Sequence, residues 1–331
     1  MAINGVDTLV YGVDDVDRSI QFFEDFGLPL LKREAQRGTF RLDEGSTVEI
    51  RPSNDPALPP SAIVGNGVRE VIWGVDTAAS LNALAADLGR DHELRRDSDG
   101  TVRFTPFFGI PMGLRVFEKK AVVCAPDPVN APGRINRLNQ HRKWRMRAHP
   151  KVIQHVVFQA PEYQKAQQFM RDRLGFRLSD VQEPLGYYLR ADGTNNHHSF
   201  LLLNASAPFP GCDGATRFHH TNFGVEDLDE LMVGVNHMLR QGWAASEVGL
   251  GRHRVDSALF YYVPCPAGGE AEYGADSDYV DDSWVPRRWI EPLFAYSYFT
   301  HNLPPFLKDA PAWKVEYLEG FTPPGRKAAA E

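Results

Sequence analysis

Nine of the eleven histidines lie at or beyond His149, where an even scatter along 331 residues would leave about half of them earlier. Concentrated imidazole points to metal binding or proton transfer, because this side chain both ligates metals and titrates near neutral pH. Three residues stand out. His155, His220 and Glu272 each occupy a strand-like segment, and 65 and then 52 residues separate them. Two imidazoles and one carboxylate on a common face leave half of an octahedral shell open, the arrangement of non-haem Fe(II) oxygen chemistry. A lone histidine at a strand start is ordinarily a surface residue or a satisfied core residue. The weight therefore rests on the combination, and at these separations only the fold can assemble it.

The elements that must position them show as an internal repeat. Residues 6–13 form an apolar strand pattern, followed by the helix start Asp14-Asp15-Val16-Asp17 and an amphipathic stretch to Phe26-Gly27-Leu28. Residues 154–160 read the same way, with Pro161-Glu162 at the helix start and Leu174-Gly175-Phe176 at its end. A shift of 148 carries Asp7 to His155 and Gly27 to Gly175 with no gap. Residues 69–75 match 219–225 at a shift of 150, which sets Glu70 against His220, and helical stretches follow at 81–88 and 228–239. A third match sets Val116 against Glu272. With strand candidates at 39–50, 101–117, 187–203 and 258–273, each half reads βαβββ twice. The expected fold is α+β, built of tandem βαβββ modules paired in two domains. Residues 1–124 are the expected N-terminal domain without metal and 150–285 the catalytic, metal-binding domain. Residues 125–149 are a Pro- and Gly-rich linker whose basic stretch, 134–147, is expected as a solvated connector helix. Residues 286–331 are a tail expected to wrap over the second half or to contact another subunit.

Several further segments join this set: Gln154-His155-Val156-Val157, Asn196-His197-His198-Ser199-Phe200, Phe218-His219-His220-Thr221-Asn222-Phe223 and Gly251-Arg252-His253. Tyr261-Tyr262, the turn Pro266-Ala267-Gly268 and Glu272-Tyr273 complete it. Together they resemble the type I extradiol ring-cleavage dioxygenases of the vicinal oxygen chelate superfamily, whose pattern is Gly-x-His, an aromatic pair, a Pro and Gly turn, then Glu. Cys265 departs from it, where the family usually has Asp or a similar polar residue. The resemblance implies His155, His220 and Glu272 as ligands of Fe(II), with Mn(II) an alternative for the same donors. It implies His198 beside the oxygen site, and His253 and Tyr262 hydrogen-bonded to the oxygens of a catecholate. Their neighbours His197 and His219 would take these places if the register slipped by one. Strand alternation lets only one of each pair face the site, and the motif register selects His198 and His220. Alternation also puts Tyr262 on the face of Glu272 if the turn preserves parity. The implied reaction uses O2 to cleave a substituted catechol beside its diol, giving a muconic semialdehyde-type product. Two other readings use the same fold. A hydroxyphenylpyruvate-type oxygenase uses His-His-Glu but not the His198, His253 and Tyr262 set, and a non-catalytic ligand-binding protein needs no complete triad.

Composition sets the frame. Hydrophobic residues are 43% and charged residues 24% of the chain, the balance of a globular protein with a sizeable core. A net charge of −7 argues against nucleic acid as a partner, and no apolar run reaches membrane-spanning length. Three cysteines without a Cys-x-x-Cys pair, and opening residues without a basic or apolar signal core, point to the cytoplasm. The expected partners are a catecholic small molecule, O2 and further copies of the chain in a homo-oligomer.

Overall fold

The computed structural model describes residues 3–208, 211–308 and 314–319. The first half runs β1 (Ile3–Val13), α1 (Val16–Phe26), β2 (Leu30–Glu34), β3 (Arg37–Arg41) and β4 (Thr47–Pro52). It continues with β5 (Gly67–Val75), α2 (Ala78–Leu88), β6 (Arg95–Arg96), β7 (Val102–Phe104) and β8 (Met112–Val116). The second half repeats the plan as β9 (Val152–Ala160), α3 (Tyr163–Leu174), β10 (Arg177–Gln182), β11 (Gly186–Arg190) and β12 (Phe200–Asn204). Then come β13 (Arg217–Gly224), α4 (Leu228–Arg240), β14 (Gly251–Arg252), β15 (Leu259–Pro264) and β16 (Glu270–Ala275). This is the expected α+β architecture of four βαβββ modules.

Local chemistry sets the element ends. The Asp15 side chain accepts from the backbone N–H of Arg18 to start α1, and Gly27, at φ 102°, ends it in the left-handed conformation. Asp227 caps α4 in the same way through the N–H of Glu230. The strands form two sheets of matching order, β2-β3-β4-β1-β5-β8-β7-β6 and β10-β11-β12-β9-β13-β16-β15-β14. In each, the first strands of the two modules pair antiparallel at the centre. The second sheet is extended by tail strands β17 (Arg287–Trp289), β18 (Phe299–Thr300) and β19 (Val315–Tyr317). One apolar core runs through both halves. Phe26 stacks on Tyr273 at 3.8 Å, and Trp73 meets Phe176 and Phe200 edge-on. No helix among the described residues is long and apolar enough to cross a membrane.

The register corrects the alignment of the two halves. β1 against β5 pairs Thr8 with Ile72, whereas β9 against β13 pairs His155 with Asn222. With Glu70 in the place of His220, His155 corresponds to Thr8, not Asp7. Asp7 corresponds to Gln154, and each of these two is the residue skipped at a bulge. The shift of 148 holds at the C-terminal ends of α1 and α3 but is 147 in the opening strands β1 and β9, because α3 has 12 residues and α1 has 11. Glu272 lies opposite Asn222, and Gly113 lies opposite Ile72, so the counterpart of Glu272 is Gly113 rather than Val116.

The connector expected as a helix is neither helix nor strand from residue 117 to 151. Its basic side chains reach the acidic residues at and just before the start of α4: Arg142 pairs with Asp229, Lys143 with Glu226, and Arg145 with Glu226 and Asp227. Binding successive residues to one small acidic patch draws the segment out along the surface, where helical spacing would turn some of them away.

Candidate metal centre

β9, β13 and β16 are neighbours, and their register sets His155, Asn222 and Glu272 side by side. His220, two residues before Asn222, shares that face. The structure thus brings the three widely spaced residues together. The Nε2 atoms of His155 and His220 are 3.2 Å apart, and each is 3.3 Å from Oε2 of Glu272. Glu272 is 0% exposed, and no hydrogen bond of good geometry reaches either carboxylate oxygen. Buried acceptors crowded in this way are costly unless something positive lies between them. One cation would satisfy all three, and this donor set fits Fe(II) or Mn(II). Burial alone would raise the Glu272 carboxyl. The facing imidazoles of His155, His220 and His253 outweigh that effect and hold it well below the usual carboxylate range. Burial, with the neighbouring imidazoles of His155 and His253, keeps His220 neutral further into acid than usual, against the opposing pull of Glu272.

The other expected residues surround this cluster. The His198 ring stacks on His155 at 4.0 Å, and burial followed by the nearby His155 and His197 holds its pKa well below the ordinary value. His253 Nδ1–H donates to the Tyr296 carbonyl at 2.6 Å, and its Nε2 lies 3.0 Å from the Tyr262 hydroxyl. Tyr262 is directly opposite Glu272 in the β15–β16 hairpin, while Tyr261 is opposite Tyr273 and faces the other way.

Two details depart from strict alternation. His197 and His198 precede β12 rather than lying in a strand, and both are buried. His219 is the residue skipped at a bulge between Phe218 and His220, so it too lines the cavity, with its Nδ1 2.7 Å from Nδ1 of His220. A bulge turns an extra side chain onto a face that alternation would deny it.

The cavity over the cluster measures about 210 Å³. Leu201, Leu203, Val255 and Phe306 give it an apolar wall, and Tyr188, Asp256 and Glu270 add polar groups. Glu270 is pushed up to about 7, by burial first and then by the charges of Glu272 and Glu247. Tyr296 and Phe306 come from the tail, which thereby closes one side. Sequence reasoning missed Tyr188, Asp256, Glu270 and Tyr296. Asp256 lies three residues after His253 in the polar run Arg252-His253-Arg254-Val255-Asp256-Ser257, where one more charge carries no signal, and Tyr296 had none either.

In the first half the corresponding positions carry Thr8, Glu70 and Gly113. Arg103 pairs with Glu70, and Arg115 pairs with Asp7 and also reaches Thr8. Among the described residues, both groupings of three potential ligands, His155-His220-Glu272 and His197-His198-Asp256, lie in the second half.

Comparison with known proteins gives a consistent result. Residues 152–260 match the Glyoxalase/Bleomycin resistance protein/Dioxygenase superfamily. The chain is 34% identical over 131 residues to metapyrocatechase 2 of Cupriavidus necator, covering 40% of this chain and 38% of that protein. It is 29% identical over 211 residues to biphenyl-2,3-diol 1,2-dioxygenase of Paraburkholderia xenovorans, covering 60% and 62%. The matches therefore span less than two thirds of either relative. The fold resembles that of a Mn(II)-bound glyoxalase from Novosphingobium aromaticivorans at a TM-score of 0.70 and 20% identity, covering 93% of this chain and 95% of the other.

Proposed function

We propose, from the match of residues 152–260 to the Glyoxalase/Bleomycin resistance protein/Dioxygenase superfamily, that this chain is an Fe(II)-dependent extradiol dioxygenase. It would cleave a substituted catechol beside its diol with O2, giving a muconic semialdehyde-type product. The observation that carries the reading is one cavity lined by His155 and His220 of the His-His-Glu cluster together with His198, His253 and Tyr262. The names of the relatives support the same class of reaction. In this reading 1–124 is a domain without metal, 125–149 a linker, 150–285 the catalytic domain and 286–331 a tail packed on it. A cytoplasmic homo-oligomer is part of the proposal, supported by three unpaired cysteines for the compartment only.

His155, His220 and Glu272 would hold the metal. Fe(II), or Mn(II) in its place, would supply Lewis acidity toward the diol and a redox partner for O2. The chain's own residues do the rest. The Tyr296 carbonyl fixes the ring of His253, and His253 in turn meets the Tyr262 hydroxyl, so both polar groups are oriented before a diol arrives. Tyr262 can donate to one catecholate oxygen. His198 can accept a proton and return it. The apolar wall excludes water from the ring.

Anaerobic loading of the full chain with Fe(II), followed by exposure of substituted catechols to air, tests the proposal. Yellow ring-opened products are expected. Turnover of an aromatic 2-oxo acid with release of CO2, and no catechol opened, would instead favour the hydroxyphenylpyruvate-type oxygenase.

A further inference from the structure

We propose that a buried Asp180–His197 pair is a positioning device for His198, keeping the proton of that imidazole on Nδ1 so that Nε2 offers a lone pair to the cavity. Its catalytic consequence rests on the ring-cleavage reading above, whereas the tautomer is a property of the chain itself. Asp180 is fully buried on β10. Its carboxylate accepts from the Arg287 backbone N–H at 2.7 Å, the Arg287 guanidinium at 2.7 Å and the Trp289 indole N–H at 3.2 Å. A carboxylate so placed is purely an acceptor. Nε2 of His197, 3.2 Å from the same carboxylate, must therefore carry a hydrogen.

A neutral imidazole has one N–H, which leaves Nδ1 of His197 as an acceptor. That atom lies 3.2 Å from Nδ1 of His198. Asp256 Oδ2 lies 3.8 Å from the same His198 nitrogen and attracts the same proton. Two acceptors thus converge on Nδ1 of His198, and Nε2 is left bare. Stacking on His155 at 4.0 Å and an edge contact with Tyr188 at 5.0 Å hold the ring plane. The first act of His198 toward a bound diol is then to accept a hydrogen bond.

The tail sets this arrangement. Arg287 and Trp289 belong to β17, which pairs parallel with β10 and places Arg287 opposite Asp180. Trp284 packs edge-on against His197 at 5.9 Å. Residues about 90 positions downstream thus hold the partner of a histidine they do not touch, the outer-shell logic by which enzymes select a tautomer.

The test is ¹⁵N spectroscopy of the full-length chain with labelled histidine, metal-free and loaded with Zn(II), with His198 identified by its loss in His198→Gln. Expected are His197 protonated only at Nε2 and His198 only at Nδ1. Asp180→Asn, whose amide can donate to His197, should move the His198 proton toward Nε2. It should also lower kcat about tenfold or more while KM for the catechol changes less than about threefold. Because Asp180→Asn also removes the partner of Arg287, a second pair guards against misfolding. His197→Gln can donate to Asp180 and accept from His198, and should keep both tautomer and turnover, whereas His197→Leu should lose both. Nε2–H on His198, a doubly protonated His197, or a Leu variant equal to the Gln variant in both readouts would overturn the proposal. Expected spectra from a chain that opens no catechol would sink the ring-cleavage reading and leave the positioning device standing.

Discussion

Tyr262 and Tyr261 are adjacent in β15 and occupy different worlds. Tyr262 faces Glu272 and His253, whereas the Tyr261 hydroxyl accepts from the backbone N–H of Ser246 at 3.2 Å. Tyr262→Phe keeps the ring and removes one charge-assisted hydrogen bond to a catecholate, about 1.5–3 kcal/mol. Steady-state kinetics should show kcat/KM lower by roughly 10- to 150-fold with metal content unchanged. Tyr261→Phe should leave kcat/KM near wild type and cost about 1 kcal/mol in unfolding free energy. A larger activity loss at Tyr261 would move the active phenol to that position. The histidines divide in the same way. His155→Ala, His220→Ala and Glu272→Ala should each lower metal occupancy, read by elemental analysis. His198→Gln should keep the metal and lose turnover, and the reverse pattern at His198 and His220 would overturn the ligand assignment.

At the scale of elements, the hairpin β15–β16 matters most, because its register fixes Tyr262 opposite Glu272. Its turn docks on the first half. Gly268 has φ 106°, and a Cβ there would lie 2.1 Å from the Asn66 carbonyl oxygen, a backbone atom with nowhere to retreat. Gly268→Ala combines left-handed strain with this clash and should cost about 1–3 kcal/mol or more. Thermal melting should show a lower Tm, and elemental analysis a partial loss of metal, because displacing the turn shifts Glu272. Unchanged metal content at a lower Tm would show that the hairpin holds its register without that contact. The linker acts differently. Arg142 and Lys143 anchor it near α4 by exposed and half-buried ion pairs, each worth about 1 kcal/mol or less, so single substitutions at those two positions should be nearly silent.

At the scale of the molecule, two similar halves share one core and differ in what occupies corresponding strand positions. Arginines already balance Asp7 and Glu70 in the first half, whereas the buried Glu272 has only imidazoles. Elemental analysis should find one tightly held ion per chain, unchanged by Asp7→Ala or Glu70→Ala. Two ions, one lost in either variant, would contradict this assignment. Since a bound metal stabilises only the folded chain, chelation should lower the Tm. The loss would be about 2.7 kcal/mol for free metal initially at 100 times its Kd.

The sequence by itself determined the four modules, the two halves and the types of residue at the candidate site. Apolar periodicity and capping residues such as Asp15 and Gly27 act locally and can be read locally. Register is another matter. A one-residue difference in length between α1 and α3 made an ungapped match look sound at Gly27 and Gly175 while it was wrong in the strands. Only strand pairing showed that His155 answers to Thr8 and Glu272 to Gly113. Bulges, which exempt one residue from alternation, brought His219 to the cavity. The contacts of Tyr296 with His253 and of Arg287 with Asp180 belong to a tail far along the chain. Such contacts leave no periodic trace in sequence, because they depend on where the chain returns rather than on what its neighbours are.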